Sequence, residues 1–298
     1  MGKKKTKIKY KKERVVMSDI LPYEIPITFS NRHFYKFLIR NNIELKNNIL
    51  FWKKDDEAFN ILIEFLFNIK IDRTKIIENN GINSYQFIKL DDYKPYQYTF
   101  LSTIPFNYKI SHKQKEFREL SIIHPANQLS VIEFYEKYKE LIIYYCNLSK
   151  YSIRKPIKVA KFTYFNDVKH KEKKVTEPSR ELIEVFGKEY ENLKTFFAYK
   201  EFSNIYKFYE SYIYQRSEKK FNSLYKFDIS KCFDSIYTHS LSWSLTNKEI
   251  VKNNIKSNYF TFGGAFDTLQ QKMNYNETNG IIIGPEFSRI FAEILLQI

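Results

Sequence analysis

Apolar side chains recur at helical spacing in some stretches of this chain and alternate with polar ones in others. Across residues 57–68, Phe59, Ile61, Leu62, Phe65 and Leu66 return at short helical intervals, which predicts a helix. Ser30 and Asn31 offer N-cap side chains to a helix running through Phe34, Phe37 and Leu38. A longer helical pattern covers 130–147 and sets Ile132, Tyr135, Tyr138, Leu141, Ile142 and Tyr145 near one face. Residues 118–123 read as a strand stopped by Pro125, and 151–155 as a strand-like piece ending at Pro156. Pro22 and Pro26 hold 21–26 extended, because each proline lacks an N–H and restrains the residue before it. Further on, 224–229 alternates like a strand and meets a turn or helix start at Ser230. Residues 243–255 are helical in character, Gly263-Gly264 breaks the chain, Asn279-Gly280 is a turn, and a helix covers 286–297. The charged run 166–180 predicts a loop, and no internal repeat is present. The expected class is α/β in the broad sense, α+β in detail.

Composition narrows the picture. The 298 residues suffice for one large domain or two modest ones, and a hydrophobic share of 43% excludes a disordered chain. Lys and Arg number 49 against 34 acidic residues, a formal charge of +15. Such a surplus favours polyanionic partners, since each neutralised phosphate releases counterions; it also fits a solvated basic surface. The first 16 residues form a basic arm. Met1-Gly2-Lys3-Lys4-Lys5-Thr6 fits a loose myristoylation pattern, but the run continues through Lys7, Lys9, Lys11, Lys12 and Arg14, as a flexible phosphate-touching arm would. Cys146 and Cys232 lie far apart without metal-ligand spacing, which argues against a disulfide framework or a zinc site and fits a reducing, cytoplasmic setting. No apolar run approaches the roughly 20 residues of a membrane span, and the N-terminus lacks an apolar signal core, so no membrane association is expected.

Candidate chemistry concentrates in Phe227-Asp228-Ile229-Ser230-Lys231-Cys232-Phe233-Asp234. Phosphoryl transfer needs metal ions held by carboxylates at the end of a rigid element, and Asp228 closes the predicted strand. An aspartate there also serves as a helix cap or turn residue. Asp234 reads as a cap, and His124 and His239 as hydrogen-bonded structural residues. Arg289 and Glu293, four apart on the last helix, read as a structural ion pair.

The Asp228 stretch resembles motif A of reverse transcriptases, an aspartate followed five positions later by an aromatic. Its continuation Ser235-Ile236-Tyr237-Thr238-His239-Ser240-Leu241-Ser242-Trp243 is similar to the abortive-infection and defence-associated bacterial branch. Asn279-Gly280-Ile281-Ile282-Ile283-Gly284-Pro285-Glu286-Phe287-Ser288-Arg289-Ile290-Phe291-Ala292-Glu293 resembles motif B of that branch, and the segments 118–125 and 152–156 resemble its finger motifs. Together they stand in family order over about two-thirds of the chain. Leu21-Pro22-Tyr23-Glu24 is similar to defence-associated members, and the subfamily the resemblance implies is the second polymerase subunit of a type 3 system.

The resemblance implies an RNA-directed DNA polymerase in antiphage defence, using two Mg²⁺ ions, an RNA template, a DNA product and dNTPs. A non-coding RNA and a second reverse transcriptase chain are implied as further partners. It implies a right-hand polymerase arrangement: a basic arm and mostly helical extension over 1–100, then fingers and the first part of the palm over 101–298. Asp228 would bind both metals, the Ile229 carbonyl would add a ligand, and Phe233 would be the steric gate against a ribose 2′-OH. Arg118 would approach the triphosphate, or simply sit on the surface at a strand start. Gly280 and Gly284 would let the backbone approach template or nucleotide, or serve plain turn chemistry. Asn279 stands where the family has Gln, a shorter reach. The aromatic-x-Asp-Asp hairpin of motif C and the thumb are absent from this sequence. Asp55-Asp56 and Asp91-Asp92 lie upstream in the wrong order. These 298 residues alone are therefore expected not to polymerise. The competing expectation is a non-catalytic nucleic-acid-binding or assembly subunit on a polymerase scaffold.

Overall fold

A computed structural model describes residues 5–7, 9–18, 25–26, 29–47, 49–86, 102–113, 116–165, 195–199, 202 and 205–298. The loop expected over 166–180 lies outside them, as do Asp91-Asp92 and most of 21–26. The described chain is an α+β arrangement of helices and small antiparallel sheets.

The N-terminal part contains β1 (Lys5–Lys7), α1 (Val15–Ser18), α2 (Arg32–Arg40), β2 (Glu44–Lys46), β3 (Ile49–Lys53), α3 (Glu57–Phe67), β4 (Ile77–Asn79) and β5 (Ile82–Gln86). Its helices share the region with a four-stranded antiparallel sheet of order β2-β3-β5-β4, where mostly helix was expected. Alternation along β3 buries Leu50 and Trp52, which stand opposite Tyr85 and Asn83 of β5. β4 turns into β5 through Asn80-Gly81, both at positive φ (51° and 76°), as a two-residue hairpin loop requires. The predicted α3 is present, capped by the Asp56 side chain accepting from the Phe59 N–H at 2.8 Å. It buries Ile63 and Phe67, whereas Phe65 is 82% exposed. Ahead of α2, Asn31 uses its amide differently from a cap: it donates to the Val16 carbonyl and to Gln128 Oε1.

The basic arm is partly built into the fold. β1 pairs antiparallel with β9 (Thr163–Phe165). Arg14 is 2% exposed, and its guanidinium donates to the Ala160 carbonyl at 2.8 Å, close to the Tyr10, Phe162 and Phe196 rings. Arg14 thus holds main chain inside the protein and is not presented to phosphate.

After β6 (Phe106–Lys113) and β7 (Glu116–Ile122), a hairpin with Ile110 opposite Arg118, comes α4 (Pro125–Tyr145). This helix begins five residues before the expected start. Pro125 opens it, because the first helical position needs no N–H donor. The His124 ring caps it, Nδ1 accepting from the Ala126 N–H at 3.2 Å. α4 is the axis of the molecule: α1, α3, β2, β8 (Pro156–Val159), α11 (Phe262–Lys272) and α12 (Glu286–Gln297) all pack on it. β8 starts at Pro156, where a strand was expected to end, and pairs with β10 (Phe197–Tyr199).

The remaining helices are α5 (Ile205–Tyr209), α6 (Tyr212–Lys220), α7 (Cys232–Ser235), α8 (Ser240–Thr246), α9 (Lys248–Asn253) and α10 (Ile255–Asn258). Gly263 and Gly264 do not break the chain. They lie in the first turn of buried α11, where a Cβ on Gly264 would come within 1.9 Å of the Asn258 carbonyl oxygen. Many aromatic rings form the core: Phe134 lies 4.7 Å from Phe266 and 5.4 Å from Phe287. One buried cluster takes in Trp52 and Phe67 from the N-terminal part together with Tyr135, Phe266 and Phe291. Among the described residues no helix is long and apolar enough to cross a membrane.

Candidate functional site

Residues 221–230 are exposed throughout and adopt neither helix nor strand. The strand expected over 224–229 is therefore not formed. Alternation gives a strand its faces, but its N–H and C=O groups need a neighbouring strand, and none pairs with this segment among the described residues. Phe227 is 93% exposed and Ile229 53%. Asp228 and Ile229 stand on this open stretch.

Order begins at the predicted turn. Lys231 takes a left-handed conformation (φ 50°) and starts α7, which carries Phe233 half-buried against the core. From here the chain is tied to the 278–281 stretch. The Ile281 N–H donates to the Phe233 carbonyl at 2.9 Å, the Gly280 N–H to Ile236 at 2.8 Å, and the Thr238 N–H to Thr278 at 2.9 Å. A single antiparallel bridge pairs Tyr237 with Asn279. Phe233, Asn279 and Gly280 are thus brought together.

Gly280 takes φ 81°, where glycine is free of the Cβ penalty, and a Cβ there would meet the Asp234 carbonyl oxygen at 3.2 Å. Gly284, at φ 127°, faces the Ser121 carbonyl oxygen at 2.9 Å from an added Cβ. Beside it the Ser121 N–H donates to the Ile283 carbonyl at 2.7 Å. Both glycines approach the protein's own backbone. This contact docks β7 on the 281–284 stretch, and half-buried Arg118 lies on the face of β7 shared with buried Leu120 and Ile122. β7 joins the Phe233–Gly280 frame, while Asp228 and Ile229 lie on the exposed segment before it.

Next to this frame is a polar network. His239 Nδ1 lies 2.5 Å from Asp267 Oδ2, and Gln271 Nε2 donates to Asp267 Oδ1 at 2.6 Å and to Thr238 Oγ1 at 3.3 Å. The hydrogen bond to Asp267 raises the His239 pKa, against a smaller lowering by burial. The hydrogen-bonded role expected for His239 is what this pairing gives it. Asp267 was missed; its only sequence signal is the four-residue spacing to Gln271 on α11.

Arg289 does not pair with Glu293. Its Nη2 donates to Glu286, one turn earlier, at 3.3 Å, while Glu293 accepts from Gln297 at 2.6 Å. Glu286 is 4% exposed and also accepts from the Tyr199 hydroxyl. Burial raises the Glu286 pKa, and burial with the nearby carboxylate raises that of Tyr199.

Among the described residues no group of three or more His, Cys, Asp or Glu is gathered so as to hold a metal ion. Asp228 and the Ile229 carbonyl, expected as Mg²⁺ ligands, belong to no such group among the described residues. No protein-family model matches the chain, and no curated protein matches it.

Proposed function

We propose that this chain is part of an RNA-directed DNA polymerase of the defence-associated reverse transcriptase branch, comprising fingers and the first part of a palm. One observation supports the reading above the rest: the segments that resemble finger motif, motif A and motif B meet through main-chain hydrogen bonds, Ser121 to Ile283 and Ile281 to Phe233. These contacts bring the three segments into one frame, and nothing in the spacing of the segments along the chain required them.

On this reading Phe233 presents its ring to the sugar of an incoming nucleotide, Asn279 and Gly280 form the adjoining wall, and Arg118 serves the phosphates from β7. Asp228 contributes one carboxylate. The described residues do not complete a two-metal site, so the other carboxylates come from a further segment or a second chain, and no metal-dependent step is derived from the residues described. RNA, DNA and dNTPs are the partners of this reading, in a cytoplasmic antiphage system.

The incomplete donor set favours a second reading, a nucleic-acid-binding or assembly subunit without chemistry of its own. The test is dNTP incorporation on an RNA template by the native protein in its full reading frame. Incorporation abolished by Asp228→Ala, with Phe233→Ala admitting ribonucleotides, is the expected result. RNA binding without incorporation, or incorporation indifferent to Asp228→Ala, selects the subunit reading.

A further inference from the structure

Helix α3 turns an apolar side to solvent. Ile63 and Phe67 are buried in the core, while Ile61, Leu62 and Phe65 are exposed, Phe65 by 82%. Beside that side lies a cavity of about 590 Å³, walled by Phe34 and Phe37 of α2, Leu62 and Leu66 of α3, and Ile122 and Ile123 at the end of β7. Ile104 and Phe106 line it as well, and both are exposed.

The lining calls for an apolar occupant, because its polar side chains are already engaged. Asn31 donates to the Val16 carbonyl and to Gln128 Oε1, and the Gln128 amide donates to the Ile123 carbonyl. His124 Nδ1 accepts from the Ala126 N–H. An apolar cavity of about 150 Å³ already holds a benzene ring, so this one has room for a phenyl ring with aliphatic groups beside it. Apolar surface gathered in one patch marks an interaction face.

The face supplies its own complement. Phe65 projects one turn from Leu62, which stands in the cavity wall. A projecting ring and a matching hole on one patch are what two-fold symmetry requires, since residue i then meets j while j meets i. Charge follows the same arrangement. Asp55, Asp56 and Glu57 stand at the N-terminal end of α3 and Lys70 just past its C-terminal end, all four exposed. Two copies of α3 running antiparallel bring the acidic end of each against Lys70 of the other. A small apolar molecule would fill the cavity and leave the Phe65 ring in water. Ile61, Leu62, Phe65, Ile104 and Phe106, with the cavity walls, form the apolar centre of an interface, of which a stable pair needs roughly 800 Å² per copy.

We propose that this face joins two copies of the chain, with α3 antiparallel to its counterpart and each Phe65 ring seated in the other copy's cavity. The face uses none of Asp228, Phe233, Asn279 and Gly280, so this pairing and the polymerase reading can fail separately.

Sedimentation equilibrium of the full chain across the micromolar range tests it. A monomer–dimer equilibrium is expected, weakened by about thirtyfold or more in Phe65→Glu, which removes a central aromatic anchor. Glutamate is a good helix former and position 65 is exposed, so the urea midpoint of that variant stays near wild type. Glu57→Lys and Lys70→Glu should each weaken pairing about threefold, the scale of an exposed ion pair. Mixing these two single variants should restore it, because each altered end then meets the opposite sign on the other copy; an effect confined to one chain would not recover on mixing. A chain that stays monomeric leaves the cavity to a different occupant and overturns the proposal. So does a dimer indifferent to Phe65→Glu, or one that mixing the charge variants fails to restore.

Discussion

The Ile281 N–H donates to the Phe233 carbonyl at 2.9 Å, so the residue carrying the candidate gate is held through its main chain by the stretch that carries Asn279 and Gly280. Main chain held this way keeps its position whatever the side chain at 233 is. Phe233→Ala therefore changes the shape of the frame while leaving its hydrogen bonds in place.

Gly280 sits in that frame at φ 81°, with Asp234 close behind it. An L side chain in the left-handed region costs about 1–2 kcal/mol. Gly280→Ala is expected to lower stability by about that amount, read as a fall in the urea midpoint with an unchanged slope. An unchanged midpoint would mean that the turn relaxes freely and does not define the frame.

His239 and Asp267 make stability depend on pH in a predictable direction. The folded-state pKa of His239 lies above the ordinary value of 6.5, raised mainly by its hydrogen bond to Asp267. Its contribution is full below about pH 6.5 and is lost as pH rises through the raised folded value. His124 acts in the opposite sense. Burial lowers its pKa, and its Nδ1 accepts from the Ala126 N–H only when unprotonated, so its contribution is present above 6.5 and lost as pH falls. Urea midpoints measured across this range should lose their alkaline decline in Asp267→Asn and keep their acid one. An alkaline decline that persists in Asp267→Asn would assign it to another group.

What the sequence made legible follows from how local each signal is. α3 and α12 match their predicted spans because the helical period of their apolar residues repeats within a few positions. The β4–β5 hairpin was equally readable from Asn80-Gly81 but was passed over, since each flanking strand is too short for alternation to stand out. Pro125 and Pro156 read in the sequence as stops, and both open elements; the residue's chemistry is the same, and tertiary packing decides which side of it is ordered. The strand over 224–229 had the right alternation and lacks the partner that alternation cannot supply. In the site, the Phe233 and Gly280 segments were found by motif, but their contact, the Asp267 partner of His239 and the Tyr199–Glu286 pair join residues distant in sequence.

Gly264 is a packing position that resembles a chain break. It lies where α11 crosses the end of α10, and a methyl group would overlap the Asn258 carbonyl at 1.9 Å. Backbone cannot yield as a flexible side chain does. Gly264→Ala is expected to cost about 3 kcal/mol, at the upper end for overpacking, even though alanine is the better helix former. Calorimetry or urea unfolding decides it; a stabilised variant would show that α10 moves aside.

Asp228→Ala separates chemistry from structure. Asp228 is exposed, on a segment without helix or strand, and no hydrogen bond or ion pair of its side chain holds described elements together. Substitutions at such positions usually change stability by less than about 0.5 kcal/mol. The variant should therefore unfold like wild type in urea and keep the network around His239. If Asp228 is one carboxylate of a polymerase site, the same substitution removes dNTP incorporation by the native protein entirely. Unchanged stability with lost activity is the signature of a reacting position. A loss of both in parallel would make Asp228 a folding residue and return the chain to the binding-subunit reading.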